Sequence, residues 1–596
     1  MSGLYDHALR LLRESPDGLP PRRGFPLPSP PEPPDTAPAL SHEAMRAAVR
    51  QALDPLPEDS GTVHRRLDSL GVRRRHQRTV RAVVAGLALS GPQRDRGRSL
   101  ARELVRTGTT AAAVTAGLAL LARLGEPEDV PCLIALGQFR DLCGAAVEAL
   151  DAVDRPQAAL VRLAHRGGDE LRPLVGALWA DDRRTVLAEL DVLPTDARLL
   201  GASTARRIAE AVLLPDLLDR HPSHTGLLAL AGRLLARMAG RRDDSTELPL
   251  YRDALRLYET VVGRARLLPP TVGHHATLLS LALDLSSGPG VLLDWPPGRR
   301  SALLGTLGRL LAEPRWAVPA DDVDSDEPER RLRARWIRHT RRRPFALPAA
   351  PGRLRVEVVV GDPVDREPVE TRILLDGRPL VPAVFPLGPA HSPELLLEEG
   401  QLRAGPQARE VQLAEASCTE GCCGALHVTI RRDGDEVVWE KWRRPPLPGL
   451  GRSTPVLPPV RFGAAAYDAE IARAEADLAW SWPARTLARL IRKGLVERPE
   501  LLSRWDMERG WISTGSADPD HAEVHLWYRP GLGAGTPDGD PLVFRWTVPD
   551  DGTPPGIQAA AALRRLSEEN PAGYARVIAG SRGRAEELGF PWPYDH

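Results

Sequence analysis

The spacing of the apolar residues changes period once along this chain, near residues 344–352, and that change limits the fold more than any motif does. Before it, Leu, Val and Ala recur at three-to-four spacing over 76–90, 97–107, 111–124, 128–137, 143–153, 157–166, 203–219, 225–239, 247–266, 271–285 and 299–312. Such a stripe lies along one face of a helix. After it, Leu354, Val356, Val358 and Val360 alternate with Arg355 and Glu357. Alternation places the apolar set on one face of a half-buried strand. Helices followed by strands read as an all-α region and then an α+β region. At 596 residues the chain is also too long for one ordinary core, so several domains are expected.

In the helical part the breaks are short: Gly125-Glu126-Pro127, Asp154-Arg155-Pro156 and Gly167-Gly168-Asp169. Leu118, Leu121, Leu124 and Pro127 align with Val147, Leu150, Val153 and Pro156 at a step of 29 positions. Proline after a polar residue marks a helix start. This spacing resembles HEAT-like repeats, which stack antiparallel helix pairs into a solenoid. The resemblance spans 76–312 and weakens after Asp182; a plain helical domain is the alternative. Ahead of it, Leu4, Ala8, Leu9 and Leu12 share a face of one short helix over 2–14. Prolines crowd 15–41 and forbid helix there, which favours an extended tether. Residues 1–60 are thus expected to be a short helix and Pro-rich tether, with the helix docking on its own body or on a partner. Residues 61–343 are expected to be the α-helical repeat domain.

Residues 321–343 run from acid to base. Asp321, Asp322, Asp324, Asp326 and Glu327 precede Arg330, Arg331, Arg333, Arg335, Arg338 and Arg341–Arg343. Leu332, Trp336 and Ile337 give the basic part an apolar edge, as in a helix capping the solenoid, and the charge order complements its dipole. The competing reading makes Arg330, Arg331, Trp336 and Arg342 interaction residues for an acidic partner or a nucleic acid. Lys+Arg and Asp+Glu balance at 79 each, so no global field favours nucleic acid or an anionic membrane. Lys441 and Lys493 are the only lysines and Asn570 the only asparagine. That is the bias of a GC-rich genome, and it weakens any functional argument from arginine number alone.

In the second half, Ile373-Leu374-Leu375 meets Asp376-Gly377, and Leu426, Val428 and Ile430 meet Asp433-Gly434. Asp-Gly between apolar runs is a hairpin signal. Val411 and Leu413 begin this meander, which is expected to form an antiparallel β domain over 353–444 with a Cys-rich turn. Pro445–Pro459 reads as a linker, followed by a Trp-rich α+β domain over 460–596. There, helices are expected around Tyr467–Leu478, Leu487–Leu495, 556–568 and 572–579. Val524–Tyr528 should pair with Val543–Val548 across the glycine-rich loop Gly531–Gly535.

The turn Cys418-Thr419-Glu420-Gly421-Cys422-Cys423-Gly424, with His427 beyond it, is the densest concentration of reactive side chains. Cys418, Cys422, Cys423 and His427 could hold a zinc ion, which wants four N or S donors in a tetrahedron. Adjacent cysteines on an extended chain point to opposite faces, so convergence needs the bend that Gly421 and Gly424 permit. The alternatives are a reversible thiol pair of Cys418 and Cys423, or cysteines that only pack the turn. Cys132 and Cys143 fall in helical patterns and read as core. An odd cysteine number in a long chain argues for a reducing cytoplasm. Met1–Pro16 has no apolar leader pattern, and Ala111–Leu121 is too short to span a bilayer.

Residues 373–380, Ile-Leu-Leu-Asp-Gly-Arg-Pro-Leu, and 418–426, Cys-Thr-Glu-Gly-Cys-Cys-Gly-Ala-Leu, resemble an uncharacterised family of high-GC actinobacterial proteins in which a strand-rich stretch leads into a Trp-rich tail. The resemblance covers the part from Leu354 onward and implies no activity. Neither lysine completes a phosphate-binding Gly-Lys-Ser/Thr loop, and there is no His-Glu-x-x-His, Gly-x-Ser-x-Gly or kinase signature. The expectation is a non-enzymatic protein-interaction scaffold using the solenoid surface, with a protein partner, no membrane and no cofactor. The rival is a thiol-redox or zinc-dependent sensor or enzyme centred on Cys418–Cys423. Nucleic-acid binding through Arg330–Arg343 is the weaker alternative.

Overall fold

The computed structural model describes residues 3–15, 18–28, 41–72, 76–194, 200–240, 246–317, 320–323, 325–340, 352–416, 424–444, 457–515 and 518–593. Up to Thr340 the described chain is helical, and from Leu354 it combines antiparallel sheets with helices. The first helices are α1 (Leu4–Glu14), α2 (His42–Leu53), α3 (Ser60–Ser69), α4 (Gln77–Ala85), α5 (Gly91–Thr107), α6 (Ala111–Leu124), α7 (Val130–Gly137), α8 (Cys143–Val153) and α9 (Arg155–Arg166). The array continues with α10 (Arg172–Trp179), α11 (Arg183–Asp191), α12 (Ala202–Ala211), α13 (Leu214–Arg220), α14 (Thr225–Ala239) and α15 (Ala254–Arg264). It ends with α16 (Val272–Ser287), α17 (Arg299–Leu311), α18 (Ala320–Val323) and α19 (Pro328–Thr340).

Helix starts follow from capping residues. Asp154 accepts from the Gln157 amide at 3.1 Å with Pro156 in the first turn, and Asp59 accepts from Thr62 at 2.8 Å. Packing is serial: α6 lies on α8, α8 on α9, α9 on α12, α12 on α14, α14 on α16, and α16 on α17 and α19. Two apolar cores result, one over residues 4–161 and one beginning at Leu19 and reaching Val359. Among the described residues no helix is long and apolar enough to cross a membrane.

The stretch expected to be a tether behaves differently. Helix α1 docks on the array itself, burying Leu4 and Ala8. Residues 18–28 also lie on it: Leu19 and Leu27 are buried, the Phe25 amide donates to Gln138 O at 2.9 Å, and the Arg140 amide donates to Phe25 O at 2.9 Å. Proline forbids helix but leaves such side chains free to bury. Helix α2 places Met45, Val49 and Leu53 in the first core.

Beyond residue 352, β1 (Leu354–Val360), β2 (Val369–Leu375) and β3 (Arg378–Pro379) form one antiparallel sheet, with the expected Asp376-Gly377 turn at φ 49° and 75°. Helix α20 (Leu380–Val384) leads to a second sheet of β4 (Arg409–Glu415), β5 (Ala425–Asp433), β6 (Glu436–Arg443) and β7 (Val460–Gly463) in that order. Helix α21 (Ala464–Ala476) completes this unit. Helices α22 (Pro483–Glu497) and α23 (Glu500–Ser503) open the last one. Its sheet has the order β11-β10-β9-β8, from β8 (Met507–Gly515), β9 (Asp518–Tyr528), β10 (Leu542–Pro549) and β11 (Arg576–Ala579). Helices α24 (Pro555–Glu568) and α25 (Arg582–Glu587) complete the described chain.

The core holding β1–β7 extends through Tyr467, Ile471 and Trp480, and the next begins at Leu487. The two cores therefore divide near Trp482-Pro483 and not within the Pro-rich 445–459. Val524, Leu526 and Tyr528 pair with Trp546, Phe544 and Leu542 as expected. Residues 576–579 are an edge strand on β10, where a helix was expected. On β1, Val356 is held by α21: its amide donates to Glu470 Oε1 at 2.7 Å and Arg473 Nη2 donates to its carbonyl at 2.6 Å.

Candidate functional site

The sequence points first to the cysteine turn. Cys418, Cys422 and Cys423 lie outside the described residues. Gly424, where the described chain resumes, stands at φ 80°, a value that favours glycine, and its carbonyl accepts from the Ala416 amide at 3.1 Å. His427 stands half-buried on β5, its Nδ1 3.9 Å from Glu410, which Arg443 also grips at 2.9 Å. Burial first, and Arg443 second, hold this imidazole below its ordinary range. Among the described residues no cluster of three metal-ligating side chains occurs. Cys132 and Cys143 are buried in helices, as expected.

The second group of predicted residues lies on α19, where the charges are answered internally. Arg330 pairs with Asp322 at 2.7 Å and Arg331 Nη1 donates to Ser325 O at 2.6 Å. Arg333 pairs with Asp362 at 2.9 Å, and Arg335 donates to both Asp520 oxygens at 2.6 and 2.8 Å. Arg342 lies outside the described residues. Trp336, expected as an interaction residue, is only 5% exposed, and its Nε1 donates to Val360 O at 3.0 Å. Its apolar stripe faces inward because α19 closes the array against β1.

What Trp336 does line is a cavity of about 440 Å³. Its walls come from α19 (Leu332, Trp336, His339), the β1–β2 connection (Val360, Pro363, Glu367, Val369), the start of α22 (Trp482, Pro483) and the ends of β9 and β10 (Pro519, Asp520, Asp550). Apolar walls with a few polar groups, at a junction of domains and of this volume, have the character of a ligand site. Of the residues the sequence singles out over 330–343, Leu332, Arg335 and Trp336 line it, and Trp336 alone of the four named interaction residues does so; Trp482 could have been flagged by the Trp-Ser-Trp-Pro run at 480–483.

Fixed charge surrounds the cavity. On one side, Arg233 of α14 grips Asp365 with two bonds of 2.8 and 3.1 Å, Arg333 adds one of 3.4 Å, and Arg237 pairs with Glu367 at 3.4 Å. Asp365 is held below its ordinary range by these guanidinium groups against the opposing effect of burial. On the other side, Arg485 of α22 grips Glu394 at 2.7 and 2.8 Å and lies over the rings of Trp480 and Trp482, 5.2 and 5.1 Å from their centroids. Arg489 and Arg492 pair with Glu398 and Glu399. Arginines at i, i+4 and i+7 thus tie the last unit to the preceding one and seat Trp482 on the cavity wall.

A second buried carboxylate lies where α16 meets β2. Asp284 accepts from Tyr258 Oη and from the Gly290 amide at 3.0 and 3.1 Å, while Arg372 of β2 donates to Leu283 O at 2.9 Å. Burial pushes the Asp284 carboxyl up from 3.8 to about 6. Between those values the native state keeps a proton that the unfolded chain has released, so this group's contribution to stability falls as pH rises and is lost above about 6. The Asp284→Asn variant removes that dependence. Its stability relative to the parent is expected to rise by about 2–3 kcal/mol from pH 4 to pH 7, read from denaturation midpoints across that range. A difference independent of pH would contradict the assignment.

No family model, curated protein or solved structure matches this chain.

Proposed function

We propose that the chain is a non-enzymatic binding protein: the helical array is a scaffold for a protein partner, and the junction cavity receives an apolar group. The observation that carries this reading is the cavity's construction. Leu332, Trp336, Val369, Trp482 and Pro519 converge on it from stretches far apart in sequence, and ion pairs on two sides hold the walls in place. A preformed apolar space with fixed walls binds without the loss of freedom that ordering a loose site would require.

The test uses the neutral fluorophore N-phenyl-1-naphthylamine, whose emission rises on entering an apolar site. Saturable uptake by the full chain is expected, with energy transfer from tryptophan. Leu332→Trp, which fills the space from α19, should weaken uptake by roughly tenfold or more while leaving the melting temperature within a few degrees. Trp482→Ala should weaken it as well. Undiminished uptake in both variants would end this reading.

A further inference from the structure

Away from the cavity, the array carries a cluster of charge that is not balanced. Arg155, Arg162 and Arg166 stand at i, i+7 and i+11 on α9, along one face. Arg206 and Arg207 come from the adjacent α12 and are 8% and 7% exposed. The answering carboxylates are Asp151 of α8, Glu210 of α12, and Glu247. Arg206 takes Glu210 at 2.8 Å and Glu247 at 2.6 Å. Arg207 takes Asp151 at 3.0 Å and Glu210 at 3.1 Å, and Arg155 reaches Glu210 at 3.5 Å. Glu210 is therefore shared by three arginines.

Arg162 reaches none of these carboxylates. It is half-buried against the Cys143 thiol, with Arg166, Arg207 and the Asp151 carboxylate as its charged neighbours, and Asp151 is already paired with Arg207 at 3.0 Å. Among the described residues no ion pair joins it to an acid. The Nε atoms of Arg155 and Arg207 are buried, with no acceptor among the described residues. Burial, more than neighbouring cations, holds Arg162 and Arg155 below the ordinary guanidinium range. Codon bias supplies arginines to a surface, but it does not bury Arg206 and Arg207 and half-bury Arg155 and Arg162 beside one another, with Arg166 exposed at the edge; withdrawing such charges from water is unfavourable unless an anion compensates.

We propose that this face of α8, α9 and α12 is an oxoanion site that takes the phosphate group of a small molecule, with Arg162 as the binding residue and Arg155, Arg166 and Arg207 as its positive rim. A guanidinium fork matches two phosphate oxygens, and arginines from neighbouring helices can bracket one tetrahedral group. The carboxylates at the base of the cluster and the chain's zero net charge disfavour a long polyanion.

The test is a titration of the full chain with inorganic phosphate, with malonate and with chloride at constant ionic strength, following the melting temperature of the parent and of Arg162→Gln. Phosphate should raise the parent's melting temperature saturably. Arg162→Gln should weaken the apparent affinity by roughly tenfold or more and, without phosphate, should melt no lower than the parent. Equal responses of the two proteins, or of chloride and phosphate, would overturn the site. A variant that melts several degrees lower in anion-free buffer would show the guanidinium to be satisfied already, and would overturn the site in the same way. Malonate acting as strongly as phosphate would overturn the phosphate assignment.

Discussion

Replacing Arg233 with methionine is expected to destabilise the junction between the helical array and β1–β2 by about 3–5 kcal/mol, because it strands a buried carboxylate. Asp365 is 3% exposed, and both its oxygens are taken by Arg233. Arg333 alone, at 3.4 Å and already committed to Asp362 at 2.9 Å, does not replace that grip. Methionine keeps the volume of the stem and removes the charge. The measurement is a denaturation midpoint together with hydrogen exchange over residues 361–369, which should accelerate. The deficit should shrink as pH falls, since the stranded carboxylate can then take a proton. Asp365→Asn in the same chain should restore much of the loss, because removing both members of a buried pair is far milder than removing one. An Arg233→Met protein that melts with the parent would show that water, not arginine, satisfies Asp365.

Trp439→Ala is expected to cost about 3–5 kcal/mol in the unit that holds β1–β7. Trp439 is wholly buried, with Phe462, Trp442 and Tyr467 at centroid distances of 5.6, 6.0 and 6.3 Å. Its Nε1 donates to Tyr467 Oη at 3.2 Å, and that hydroxyl donates to Leu402 O at 2.5 Å. Truncation therefore leaves a void and also removes a polar partner from a buried tyrosine. Trp439→Phe keeps most of the volume and should lose less. Near-ultraviolet circular dichroism and thermal unfolding distinguish the two variants; equal midpoints for alanine and parent would contradict the packing described.

The elements with a strong period were legible in the sequence. Pro156 marks a helix start because it stands in a first turn that Asp154 caps, and Asp376-Gly377 marks a hairpin because both residues take positive φ. Residues 576–579 misled because Val577 and Ile578 flanked by Ala and Arg fit either state, and only β10 as a neighbour decides for strand. The hold of Glu470 and Arg473 on Val356 leaves no local trace, since an i, i+3 pair looks the same whether water or a strand lies opposite. The cavity was illegible for a deeper reason. The Arg335–Asp520 pair at its edge joins residues 185 positions apart, and no local pattern encodes which distant stretches will meet.

The hold of α21 on Val356 bears on self-association. A sheet margin with open amides and carbonyls can template another strand, and growth from such a margin is the first step toward fibrils. Here the side chains of Glu470 and Arg473 occupy both groups at the middle of that margin. An incoming strand would have to displace a carboxylate and a guanidinium before gaining its first pair of bonds, so this hydrophobic ribbon is shielded from becoming a polymerisation seed.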